Sequence, residues 1–268
     1  MIGAIIGDIV GSIYEFNNHR SKDFELFKSE CFFTDDTVMT IAIAMALYKS
    51  LTEHNGFKNL EKYAVEYMKE YGRMYPNLSY GMKFSEWLLS NKSTPYNSFG
   101  NGSAMRVSAI GYFASDIKTA KFLSEKVTKV THDHPEGIKG AEALCVAMVL
   151  AKQEKSKEEI KEYIDTNYYK VDFKIDEIRE KYEFDETCQG TMPYAFACFY
   201  ESIDFEDAIR NAVSIGGDSD TIACIVGALA ECYYGFPKEL AKKAYTYLDK
   251  QLYDDMVSFY LDVLDYCK

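Results

Sequence analysis

Residues 215–231 read IGGDSDTIACIVGALAE. Two glycines lead into Asp218 and Asp220, and a run with almost nothing polar follows. A helix that is apolar all round belongs in the centre of a fold. Its mouth here is acidic. A second run repeats the arrangement: Thr34, Asp35, Asp36 and Thr37 open the apolar 36–48, DTVMTIAIAMALY. A third apolar run, 139–151, has no such acidic start. Three central helices, two of them entered through paired carboxylates, set the frame for the rest.

Around them helical periodicity dominates. Residues 60–75, 119–130, 139–153 and 205–215 repeat apolar residues at spacings of three and four. The C-terminal KELAKKAYTYLDKQLYDDMVSFYLDVLDY predicts one or two more helices. NYYKVDFKI (167–175) is the one candidate for a short extended piece, and 154–186 is the most charged stretch, a surface helix pair or an insertion. The pattern predicts an all-α fold, with residues 1–268 forming a single domain.

Composition narrows the function. Hydrophobic residues make up 47% and aromatic residues 15%, enough to bury a core. No uncharged apolar stretch reaches the ~18 residues of a membrane span. The opening MIGAIIGDIVGS lacks a basic region and meets Asp8 early, so it does not read as a signal peptide. A cytoplasmic location is expected. Cys31, Cys145, Cys188, Cys198, Cys224, Cys232 and Cys267 are odd in number and contain no CxxC pair. They read as free buried thiols in a reducing compartment, not as a disulfide frame or a zinc site. The net charge of -12 argues against a nucleic-acid groove, leaving nucleic acid only as a modified substrate. A phosphorylated small molecule remains compatible if cations mediate its contact.

Each acidic mouth places two carboxylates and a threonine within one helical turn. Capping is one reading, since Asp, Ser and Thr are preferred N-caps and first-turn acids complement the helix dipole. Yet capping needs one side-chain oxygen, and each mouth supplies several. Buried carboxylates without cations carry a large desolvation penalty. Hard divalent cations, Mg²⁺ or Mn²⁺, would take these oxygens as ligands. In IGAIIGDIVGSIYEF, Gly3, Gly7 and Gly11 form a stripe that lets another helix approach closely. Asp8, Ser12 and Glu15 form a neighbouring polar stripe. That stripe is either a solvated face or a functional one, with Glu15 at an end where the dipole does not favour it.

Two further segments are candidates. Gly100, Asn101, Gly102 and Ser103 precede a helical run from Ala104, a backbone that offers N–H groups to an anion or simply makes a turn. Arg106 follows one turn later, for a phosphate or for a structural ion pair. His132 and His134 flank Asp133 before Pro135, as metal ligands, a ligand contact or an ordinary turn.

In this order, IGAIIGDIVGSIYE, FTDDTVMTIAIAMAL, GNGSAMRVSAIGYF, VTHDHPEGIKGAEA and FEDAIRNAVSIGGDSDTIACIVGALAECYYG resemble the ADP-ribosylglycohydrolase family. The resemblance covers most of 1–235, the charged middle least. It implies a multi-helix orthogonal bundle around a central cleft with two Mg²⁺ or Mn²⁺ ions. Thr34, Asp35 and Asp36 match the first ligand group, and Asp218, Asp220 and Thr221 the second. Glu15 matches the glutamate tied to catalysis, and Asp36 is the other candidate to take a proton from water. Gly100, Asn101, Gly102, Ser103, Ala104 and Met105 match the segment around the diphosphate and ribose, and His132 a histidine on ADP-ribose. The implied substrate is an ADP-ribosylated protein or ADP-ribose derivative, cleaved at ribosyl C1. A non-catalytic ADP-ribose reader and a two-metal phosphoesterase are the alternatives. Glu231, in ALAECYYG, departs from the small residues usual there and places local packing in question.

Overall fold

The computed structural model describes residues 1–266. The chain opens with α1 (Ile2–Gly11), α2 (Asp35–Thr52), α3 (Leu60–Met74), α4 (Met82–Leu89) and the single turn α5 (Gly102–Met105). Then come α6 (Ser108–Phe113), α7 (Ile117–Thr128), α8 (Pro135–Lys152), α9 (Lys157–Asn167) and the short α10 (Ile175–Ile178). The last third holds α11 (Cys188–Tyr200), α12 (Phe205–Ser214), α13 (Ser219–Tyr234), α14 (Lys238–Ala244) and α15 (Lys250–Tyr266). Among the described residues the only β pairing is an isolated bridge between Gly100 and Thr187. The all-α expectation holds.

The extended piece expected at 167–175 does not form a strand. Val171 shows why: Asp165 accepts its N–H at 3.1 Å and Lys161 donates to its carbonyl. Side chains have taken the groups a ladder would need.

The three apolar runs are interior helices. Every residue of α13 from Ser219 to Glu231 is buried, as are most of α2 and α8. A fourth interior helix is α1, all ten of whose residues are buried. The solvated-face reading of its polar stripe is therefore excluded: Asp8 is 0% exposed. Its glycines let α1 lie backbone to backbone along α13. A Cβ on Gly7 would sit 1.9 Å from the Ala223 carbonyl oxygen, and one on Gly3 2.2 Å from that of Gly227. Neither partner is a side chain that can swing away. Gly7→Ala is expected to destabilise the fold by about 3 kcal/mol, the upper part of the overpacking range, read from the urea midpoint. An unchanged midpoint would mean that the two helices do not touch in solution.

Glu231, the residue that placed packing in question, is buried and fully used. It accepts from the Gly3 N–H at 2.8 Å and the Tyr260 hydroxyl at 3.0 Å, and it pairs with the Met1 ammonium. The charge ties α13 to the start of α1. Cys31, Cys145, Cys188, Cys198 and Cys224 are free and buried, Cys232 is free and half-buried, and Cys267 lies outside the described residues. Among the described residues no helix is long and apolar enough to cross a membrane.

Candidate active site

The two acidic mouths meet beside the C-terminal end of α1. At α2, Thr34 is the N-cap and accepts from the Asp36 N–H at 3.2 Å. Asp8 reaches across from α1 to receive the Thr34 N–H at 2.9 Å, the Thr34 hydroxyl at 2.6 Å, the Thr37 N–H at 3.1 Å and the Thr37 hydroxyl. Capping is thus done by Thr34 and Asp8, and the carboxylates of Asp35 and Asp36 are left for something else. At α13, Asp218 occupies the N-cap position without a side-chain capping bond. Its carboxylate accepts instead from the Asn101 amide at 2.6 Å.

These carboxylates converge. Oxygens of Glu15, Asp218 and Asp220 lie within 4.8 Å of one another. Thr221 donates across the gap to Asp36 Oδ1 at 3.3 Å, linking the two mouths. Asp36 Oδ2 and Asp220 Oδ1 are buried with no hydrogen-bond partner. Orphaned carboxylate oxygens in an interior are rare and call for an explanation.

The electrostatics agree. Burial pushes the Glu15 carboxyl up to about 8, with Asp218, Asp35 and Asp8 adding to it. Asp35 is raised to about 7, by burial first and then by Asp8. Asp36 and Asp220 are held well above the ordinary carboxylate range by burial and by their acidic neighbours. Asp218 is raised by burial, against hydrogen bonds that favour its charged form. A cluster this crowded stays fully ionised only beside a compensating positive charge.

The acids line one part of a cleft of about 300 Å³. Gly100, Asn101, Gly102, Met105, Tyr96, Arg106 and His132 line another part. The glycine loop is pinned from below: the Asn101 N–H donates to the Glu186 carbonyl at 2.7 Å, and the Cys188 N–H to the Phe99 carbonyl at 2.9 Å. Ser103 and Ala104 are buried beneath the loop, the Ser103 hydroxyl bonding the Gly137 carbonyl at 2.8 Å. Thr34 likewise faces α1 instead of the cleft.

Among the described residues Arg106 forms no ion pair with an acid. It donates to the Thr131 hydroxyl at 2.7 Å and the Val127 carbonyl at 3.4 Å, and lies 5.9 Å from the Phe84 ring. Burial lowers it only to about 10, so it remains a cation at neutral pH. The Thr131 hydroxyl in turn meets His132 Nδ1 at 2.7 Å. Burial and then Arg106 depress the His132 imidazolium, keeping the ring neutral. Its Nε2 faces Gly100 and Gly102, at 3.6 and 3.7 Å from where their Cβ atoms would stand. His134 does something else: it caps α8, Nδ1 accepting from the Glu136 N–H at 3.1 Å. The two histidines therefore do not act as a pair.

Several lining residues had no signal in the sequence. Lys83, Phe84, Tyr96, Phe184 and Glu186 come from separate loops and short helices, and only the fold gathers them.

The family model described as ADP-ribosylglycohydrolase matches residues 1–263. ADP-ribosylhydrolase ARH3 of Homo sapiens is 25% identical over 316 residues, covering 88% of this chain and 84% of its own. ARH3 of Gallus gallus is 24% identical over 314 residues, covering 88% and 84%. A solved structure titled ADP-ribosylglycohydrolase-related protein complex superposes with a TM-score of 0.65 at 22% identity, covering 95% and 96% of the two chains. Fold and sequence together define a hydrolase of ADP-ribosyl glycosidic bonds. The chain belongs to the ADP-ribosylglycohydrolase family.

Proposed function

We propose that the convergent acids hold two divalent cations, Mg²⁺ or Mn²⁺, and that the cleft hydrolyses the ribosyl C1 bond of an ADP-ribosylated protein or ADP-ribose derivative. The observation that carries this reading is the pair of orphaned oxygens, Asp36 Oδ2 and Asp220 Oδ1, buried among acids whose charge burial opposes. The donor set is carboxylate and hydroxyl oxygen, which suits hard cations and not zinc. Asp35, Asp36, Asp218, Asp220 and Thr221 would supply the ligands, with Thr34 behind them as the cap that aims Asp36. When bound, such ions supply charge neutralisation, a hold on the ribose hydroxyls and a more acidic water.

The remaining work falls to the chain. Glu15 is half-buried on the rim of the cluster and lines the cleft, within reach of both the acids and solvent. It takes the proton of the attacking water as general base, with Asp36 the other candidate. Gly100, Asn101, Gly102 and Met105 cradle the diphosphate and ribose. If the Thr131 hydroxyl, which accepts from Arg106, donates to Nδ1, His132 Nε2 carries the ring hydrogen and is a neutral donor toward a phosphate or ribose oxygen. Arg106 supplies the positive charge behind it.

The test is Glu15→Gln. Turnover is expected to fall by about 10²–10⁴-fold, the usual worth of a general base. ADP-ribose affinity by calorimetry is expected to stay close to wild type. A variant that binds and turns over normally would reduce Glu15 to a structural residue. Recovery of AMP and ribose phosphate in place of ADP-ribose would favour the phosphoesterase.

A further inference from the structure

The turn that carries Glu15 has no helix to hold it. Helix α1 ends at Gly11, and residues 12–17 are irregular. The turn that carries Asp218 is equally unusual. Gly216 and Gly217 sit at φ +69° and +72°, two successive left-handed residues leading into α13. Yet carboxylate oxygens of Glu15 and Asp218 come within 4.8 Å of each other and of Asp220, across 203 residues of sequence, the interval between positions 15 and 218.

One side chain spans the gap. The Asn18 amide donates to the carbonyls of Tyr14 at 2.9 Å, Glu15 at 2.9 Å and Gly217 at 3.0 Å. Its oxygen accepts the Gly217 N–H at 2.9 Å. Three carbonyls on one side and one N–H on the other fix which end of the amide is which. The fit is close: a Cβ on Gly216 would come within 2.9 Å of Asn18 Oδ1 and 2.8 Å of Arg20 Cζ. Arg20 adds a second tie, donating to the carbonyls of Ile215, Arg179 and, at 2.7 Å, Tyr182.

We propose that Asn18 is a positioning residue: it locks the Glu15 turn to the Gly216–Gly217 turn and so sets the spacing of the acid cluster. This rests on the cation reading above and adds to it. Asn18 is not itself part of the cleft lining, and its bonds run to backbone groups. It acts through two backbones, as groups that orient ligands from behind do.

The experiment uses the full chain stripped of metal. Mn²⁺ affinity is read from the free-ion electron paramagnetic resonance signal, beside the steady-state release of ADP-ribose. Asn18→Ala is expected to weaken Mn²⁺ binding about 10-fold or more and to lower kcat with KM little changed. Asn18→Asp keeps the acceptor for Gly217 N–H and loses the three donations. Its added charge would by itself attract cations, so weaker Mn²⁺ binding there reports lost positioning. Lys157→Met is the control for plain instability. It removes hydrogen bonds to the Tyr200 and Ser202 carbonyls, and its melting point should fall with Mn²⁺ affinity at the wild-type value. Wild-type Mn²⁺ affinity in both Asn18 variants would overturn the proposal. A wild-type chain that takes up no Mn²⁺ would overturn the cation reading itself, and is seen before any variant is compared.

Discussion

Asp220→Asn is expected to lose turnover by on the order of 10³-fold at saturating Mg²⁺, and to make the metal-free protein more stable. The two effects have one cause. Asp220 is buried, one of its oxygens has no partner, and Asp218, Asp36, Glu15 and Asp8 all oppose its charge. An amide of the same shape removes a buried charge and can donate a hydrogen bond to a neighbouring carboxylate. Stability in EDTA should rise by about 1–2 kcal/mol, the usual gain when a strained functional residue is relaxed. Asp36→Asn should behave alike, because Asp36 Oδ2 is orphaned in the same way. Urea unfolding in EDTA and a product assay in Mg²⁺ measure the two halves. Full turnover in both variants would end the cation assignment. A loss of stability in EDTA would show that the acids hold the fold together and are not a burden on it.

The second large effect is on pH. In the folded protein the cluster binds protons that the unfolded chain has already released. Glu15 at about 8 and Asp35 at about 7 stand above the ordinary carboxylate range near 4, and Asp36, Asp218 and Asp220 are shifted the same way. For groups raised in this sense, the stabilisation is fully present below the unfolded value and is lost as pH rises through the folded one. Without metal, the melting temperature should therefore fall between about pH 4 and pH 8. Excess Mg²⁺ should reverse the trend at the alkaline end, since the ion competes with the protons and binds the ionised cluster. A ligand at 100 times its dissociation constant adds about 2.7 kcal/mol. Melting curves at three pH values, with EDTA and with Mg²⁺, suffice. A profile in EDTA that is flat or rises with pH would contradict the raised acids.

What was legible in the sequence was what periodicity and local chemistry control. The apolar runs of α2, α8 and α13 announced the interior, and the paired aspartates announced its mouths. Gly3, Gly7 and Gly11 announced a close helix contact without naming α13 as its partner. Asp8 stood in a polar stripe that could be solvent-facing, and only packing reveals it as the bracket that holds Thr34 and Thr37. For Arg106 the sequence could not name the hydrogen-bond partners, Val127 and Thr131, because they lie on another segment. The 167–175 segment misled because alternation shows which side chains turn inward. It does not show whether a neighbouring backbone is free to pair. Asn18 carried no signal at all, since its bonds to Gly217 join turns far apart in the chain.

The backbone contact between α1 and α13 has a consequence for how such an enzyme can change. These two rods meet through main-chain atoms, so a larger side chain at Gly3, Gly7 or Gly11 would push them apart. The rim is under no such constraint: Phe16 and Phe184 stack at 6.2 Å with Phe16 81% exposed, and both belong to loops. A substitution at the rim can therefore change what meets the mouth of the cleft without moving the acids beneath it.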